Sequence, residues 1–90
     1  MRTIVWSSLA KESFNENINY LLNKWNEKSA QDFINKVKRV ENILKSGHVE
    51  FQKTNLENVY RVVIVRQVSL FYMLNRNIVV LLNFQNNFKI

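Results

Sequence analysis

The sequence contains no cysteine and no proline, and Gly47 is its one glycine. Without cysteine there can be no disulfide, no thiolate nucleophile and no cysteine-ligated zinc or iron–sulfur centre, so stability has to come from packing. A single glycine excludes the glycine-rich loops that cradle phosphates in P-loop and dinucleotide-binding proteins, and no nucleotide cofactor is expected. The one histidine, His48, cannot form a two-histidine metal site; it reads as a loop residue beside a helix C-terminus. The seven acidic residues are scattered, with none of the close pairing of a metal centre or an acid–base dyad. No metal is predicted, and no catalytic residue can be assigned. Long apolar runs are missing as well. The longest, Val62-Val63-Ile64-Val65 and Ile78-Val79-Val80-Leu81-Leu82, fall far below the roughly 18 residues of a membrane-spanning helix. After Met1-Arg2, the stretch Thr3-Ile4-Val5-Trp6 is too brief for a signal peptide, so a cytoplasmic location is expected.

What is present is a core. The chain is 47% hydrophobic, with six Phe, three Tyr and two Trp among 90 residues, far too apolar for disorder. A chain this short buries only about two-thirds of its unfolded surface, so residues 1–90 are expected to form a single domain. Thirteen Lys and Arg against seven acids give a net charge of +6, which favours nucleic acid or an acidic protein as partner. A solvated surface kept soluble by its charge is the plainer explanation. The charge is spread evenly, +3 in residues 1–46 and +3 in residues 47–90, with no basic tail.

Periodicity divides the chain in two. Arg2 to Trp6 is β-prone, and Ser7-Ser8 can cap a helix. From Leu9 the apolar residues Ala10, Phe14, Ile18, Leu21, Leu22 and Trp25 recur at helical spacing, predicting a helix to about Trp25. Ser29-Ala30-Gln31-Asp32 resembles a capping box with Ser29 as N-cap. It opens a second helix with the stripe Ala30, Phe33, Ile34, Val37, Val40 and Leu44, ending at Gly47, where a left-handed residue is expected. Beyond Gly47, β-branched and aromatic residues crowd together. Strands are predicted at Val49–Lys53, Val59–Arg66, Ser69–Leu74 and Ile78–Phe84. The turns between them fall at residues 55–58, 66–68 and 75–77. The expected fold is therefore α+β: an N-terminal strand, a two-helix hairpin, then an antiparallel sheet of about four strands. The last strand, apolar on both faces, should be central or covered on both sides. A helical hairpin covers one sheet face, so apolar surface on the other would await a partner.

Chemistry-bearing residues gather in the second half: Lys53, Arg61, Arg66 and Arg76, among strands that also carry Tyr60 and Tyr72. Basic side chains on a sheet can hold phosphates while tyrosines stack or move protons. By alternation Tyr60, Val62, Ile64 and Arg66 share one face and Arg61, Val63 and Val65 the other, so the two arginines point opposite ways. Each tyrosine can equally be a core aromatic with its hydroxyl at the rim.

The order of elements over essentially the whole chain resembles the RelE/ParE toxin superfamily of type II toxin–antitoxin systems. Ile4-Val5-Trp6-Ser7-Ser8-Leu9-Ala10 is similar to that family's strand-to-helix opening. Tyr20-Leu21, Trp25, Ala30, Phe33 and Ile43 fall where its helices place apolar residues. Val59-Tyr60-Arg61-Val62-Val63-Ile64, Ser69-Leu70-Phe71-Tyr72 and Ile78-Val79-Val80-Leu81-Leu82-Asn83-Phe84 together resemble its plasmid-stabilisation, ParE-like branch. The resemblance implies a toxin neutralised by a cognate acidic antitoxin, in a toxin–antitoxin hetero-oligomer, that acts either on DNA gyrase or on ribosome-bound mRNA. Ribonuclease members are metal-free and combine Lys and Arg with a C-terminal Tyr or His. Here the tail Phe84-Gln85-Asn86-Asn87-Phe88-Lys89-Ile90 has neither, nor the closing arginine of the ParE-like branch. The resemblance carries over Arg61 and Lys53 as phosphate-facing or target-binding candidates, joined by Arg66, Tyr72 and Arg76 from the residue pattern. It supplies no general base. ParE-like gyrase inhibition fits that lack better than mRNA cleavage, and a degenerate member that only binds its partner is a third alternative.

Overall fold

The computed structural model describes residues 1–88; Lys89 and Ile90, the end of the tail, lie outside the described residues. The element order is β1 (Thr3–Trp6), α1 (Ser8–Lys24), α2 (Glu27–Ser46), β2 (Gln52–Lys53), β3 (Val59–Val65), β4 (Val68–Asn75) and β5 (Ile78–Asn86). The strands form one sheet in the order β1-β5-β4-β3-β2. The pairs from β2 to β5 are antiparallel, as expected, and β1 joins the first strand to the last in parallel, Ile4 beside Val79 and Trp6 beside Leu81.

Local chemistry fixes the helix ends. Ser7 is the N-cap of α1: its Oγ accepts the Ala10 N–H at 3.0 Å and donates to the Leu82 carbonyl at 3.0 Å, so one hydroxyl both caps the helix and ties it to β5. α2 begins earlier than its sequence suggests. Asn26, not Ser29, is the N-cap, its Oδ1 accepting the Ser29 N–H at 2.8 Å. The polar residue that follows Trp25 is thus itself the cap. At the other end Gly47 adopts φ +80°, the left-handed conformation anticipated there.

Both helices pack on one side of the sheet, α1 against β5 and α2 against β3 and β1. The α2 stripe is buried through Ala30, Phe33, Val37, Val40 and Leu44. That of α1 is rotated from the expected one: Ala10, Ser13, Asn17 and Leu21 face inward, while Leu22 and Trp25 are exposed. The sheet answers with Tyr60, Val62, Ile64, Val68, Leu70, Tyr72, Val79, Leu81 and Phe84. Trp6, Phe14, Phe33 and Phe84 pack ring to ring at centroid distances of 5.2–5.8 Å, the separations that aromatic pairs favour.

The two inward polar residues of α1 solve an edge problem. β1 pairs with β5 only as far as Leu81, which leaves the outer edge of β5 without a strand beyond that point. There Ser13 Oγ accepts the Phe84 N–H at 2.9 Å and Asn17 Nδ2 donates to the Phe84 carbonyl at 3.1 Å, so two side chains stand in for the absent strand.

β2 is two residues long, not the five expected over 49–53, because residues 48–51 follow the end of α2 instead of pairing. Phe51 there donates its N–H to Tyr72 Oη at 3.1 Å, and Glu50 meets Arg2 at 3.4 Å. β5 is an interior strand, as its two-sided apolar sequence requires, flanked by β1 and β4. Among the described residues no helix is long and apolar enough to cross a membrane.

Candidate functional site

The sheet face away from the helices is built by alternation. Because Tyr60, Val62 and Ile64 enter the core, Arg61 and Val63 turn the other way; Val65, expected with them, does not, because a register shift after Val63 sets it beside the buried Val68 and against the core. Register then fixes their neighbours. Gln52, Arg61, Phe71 and Asn83 form one row across four strands, and Val59, Met73, Val80 and Val5 form the next. Val5 and Val63 are 44% and 52% exposed, and Phe71, Met73 and Val80 are half-buried. Arg61 is therefore a cation held among apolar and amide side chains, with no carboxylate paired to it among the described residues. In such surroundings an arginine fork can take a phosphate or carboxylate in two parallel hydrogen bonds. Ser69 sits in the adjoining row between Val63 and Gln85; it is fully buried, and its Oγ has no partner among the described residues.

The other residues singled out in the sequence do not converge on Arg61. Lys53 is exposed, but it pairs with Tyr60 and so belongs to the opposite, helix-side face at the sheet edge. There it borders a pocket of about 280 Å³ formed with residues 54–60. Arg66 lies in the β3–β4 turn and Arg76, with φ +56°, in the β4–β5 turn. These turns sit at opposite ends of β4, whose eight residues at roughly 3.4 Å each set them about 27 Å apart.

Tyr72 is fully buried, so it cannot meet a phosphate or a partner in the folded chain. Its ring stacks on Tyr60 at 5.3 Å, and its hydroxyl accepts the Phe51 N–H. Burial raises its pKa above the ordinary tyrosine value, and Glu50 pushes in the same direction. It stays protonated at neutral pH and is a core aromatic with a tethered hydroxyl, the structural alternative open to it from the start.

Two features escaped the sequence. One is the Ser13–Asn17 pair on Phe84, whose signal is the run Ala10, Ser13, Asn17, Leu21 at helical spacing with polar residues in its middle. The other is a surface cluster of Trp25, Phe88 and Arg66, residues far apart in the chain, for which no local pattern exists.

No family profile matches the sequence, and no curated protein matches it. Solved structures do. The chromosomal ParDE toxin–antitoxin system from P. aeruginosa superposes with a TM-score of 0.73 at 13% identity, covering 96% of this chain and 96% of that one. A copper-bound mutant toxin from Helicobacter pylori gives 0.68 at 16% identity over 97% and 96%. The DinJ–YafQ complex from E. coli gives 0.65 at 11% identity over 96% and 93%. The resemblance drawn from the sequence therefore holds for the fold, which the chain shares with these structures over nearly its full length.

Proposed function

We propose that this chain is the toxin of a type II toxin–antitoxin pair, neutralised by an acidic antitoxin, and that it acts in the ParE-like way by inhibiting DNA gyrase. The observation that carries this reading is the open sheet face: Arg61 is set among apolar and amide residues, and among the described residues of that face there is no Asp, Glu, His or Tyr. A surface with a cation and apolar rows but no proton-transfer group suits binding of another macromolecule better than cleavage of a phosphodiester, which needs a general base. Charge of +6 and exposed apolar rows also match an acidic amphipathic antitoxin segment, docked as a helix or as an added strand. Two of the fold neighbours are a toxin–antitoxin system and a two-protein complex.

A metal-free ribonuclease acting on ribosome-bound mRNA is the second reading, favoured by the bidentate reach of Arg61 toward phosphate. Induced expression without an antitoxin, followed by mapping of message ends in an in vitro translation reaction, separates the possibilities. Growth arrest with intact message is the expected result. Ordered cuts in ribosome-bound RNA would replace the gyrase reading, and unimpaired growth would leave only a binding role.

A further inference from the structure

A second basic and aromatic feature lies away from the Arg61 face, along the seam where α1 and the end of β5 run side by side. The seam starts where Ser13 and Asn17 hold Phe84 and continues to Trp25, whose ring centroid is 6.1 Å from that of Phe88. Both rings are open to solvent, 42% and 45% exposed. Arg66, from the β3–β4 turn, sets its guanidinium carbon 5.7 Å from each ring centroid. The C-terminal segment is laced to that turn. Asn87 donates its N–H to the Gln67 carbonyl at 2.7 Å and its Nδ2 to the Arg66 carbonyl at 3.2 Å. No carboxylate among the described residues pairs with Arg66. Along the same seam is a pocket of about 270 Å³ lined by Glu16, Asn17, Tyr20, Phe84, Gln85 and Asn86.

We propose that this seam binds an unpaired nucleic-acid strand, one base stacking on Trp25 and Phe88, its phosphate held by Arg66, and the neighbouring base meeting the polar pocket. The site goes beyond the toxin reading, does not use Arg61, and stands whichever target the toxin poisons. Exposed rings offer a π-face to any base, a contact that tolerates sequence. A guanidinium lying over rings keeps its N–H edge free, and that edge fits phosphate oxygens in a bidentate pair. The exposed Gln85 carboxamide, the Tyr20 phenol and the Glu16 carboxylate give the pocket donors and acceptors suited to the edge of a splayed base. Duplex nucleic acid is excluded by the geometry of stacking, since paired bases have no free face to lay on the rings.

Tryptophan fluorescence of the purified full chain, titrated with a short oligouridylate at low salt, reads the site directly. Trp25 is exposed at the seam, whereas Trp6 is half-buried and bonded to Glu41. Saturable quenching is expected, and anisotropy of an end-labelled oligouridylate, which does not depend on the Trp25 signal, should show roughly tenfold weaker binding in Trp25→Leu and in Arg66→Gln, with the log–log salt slope of Arg66→Gln reduced by about one. Circular dichroism should show both variants folded, and Lys36→Gln, on the exposed face of α2, should bind as the wild type does. An oligodeoxythymidylate arm tells RNA from DNA, and binding of either strand supports the proposal. Failure of both strands to quench, equally tight binding of a fully paired duplex, quenching by a polyglutamate peptide in their place, or wild-type affinity in Trp25→Leu would overturn it.

Discussion

Asn17 and Ser13 hold the two backbone groups of one residue, Phe84, and the energetic consequence is direct. Removing either side chain leaves a buried carbonyl or N–H without its partner, which costs about 1–3 kcal/mol. Asn17→Ala and Ser13→Ala should each lower the urea midpoint accordingly. Their effects should fail to add in the double variant, because both act on the same strand edge. Ser69 gives the opposite case. Its hydroxyl is buried without a partner among the described residues, so Ser69→Ala should be neutral or raise stability by up to about 1 kcal/mol in the same experiment. Tyr72 adds a pH dependence. Its folded-state pKa is raised by burial, so the folded form keeps the phenol proton at a pH where the unfolded chain has lost it. The resulting stability is complete below the unfolded value of about 10 and falls as pH rises beyond it. Thermal unfolding followed from pH 8 to 11 should show that alkaline loss, and Tyr72→Phe should flatten it; an unchanged slope would place the titration elsewhere.

The elements were legible where pattern is local and long, and less so where a short signal competed with a neighbour. α2 was written in its stripe and in Gly47, yet its start was misplaced by three residues because Ser29-Ala30-Gln31-Asp32 imitates a cap that Asn26 already supplies. Asn26→Ala should therefore cost about 1 kcal/mol, whereas Ser29→Ala should cost little; chemical denaturation of the two variants decides which residue caps the helix. Gly47→Ala meets nothing closer than 3.8 Å, so space is not its difficulty. Its φ of +80° is, and the strain of a side chain there should cost about 1–2 kcal/mol. β2 was overextended in sequence because Val49 and Phe51 look β-prone, while in the fold Phe51 is held by the Tyr72 hydroxyl and only Gln52 and Lys53 reach the sheet. The alternation that set Arg61 apart from Tyr60 was readable from the strand alone. Which of the two faces the helices cover was not, and that is why Tyr72 could stand as a surface candidate and Lys53 as a companion of Arg61.

At the scale of the molecule, helices lie on one side of a five-stranded sheet and the other side is left to cross-strand rows of Arg61, amides and partly exposed aliphatic residues. No helix or strand among the described residues covers that side, and the toxin reading takes the uncovered face as the contact with target and antitoxin. Arg61→Gln should leave the thermal midpoint within a degree or two of the wild type, since a half-exposed side chain without an ion pair contributes little to stability. Its effect should be on function. The most direct measurement is DNA supercoiling by purified gyrase in the presence of the purified chain, without ribosomes. Dose-dependent inhibition is expected, relieved by an acidic antitoxin and weakened at least tenfold in Arg61→Gln. Full supercoiling at saturating toxin, or inhibition indifferent to Arg61, would contradict the gyrase reading.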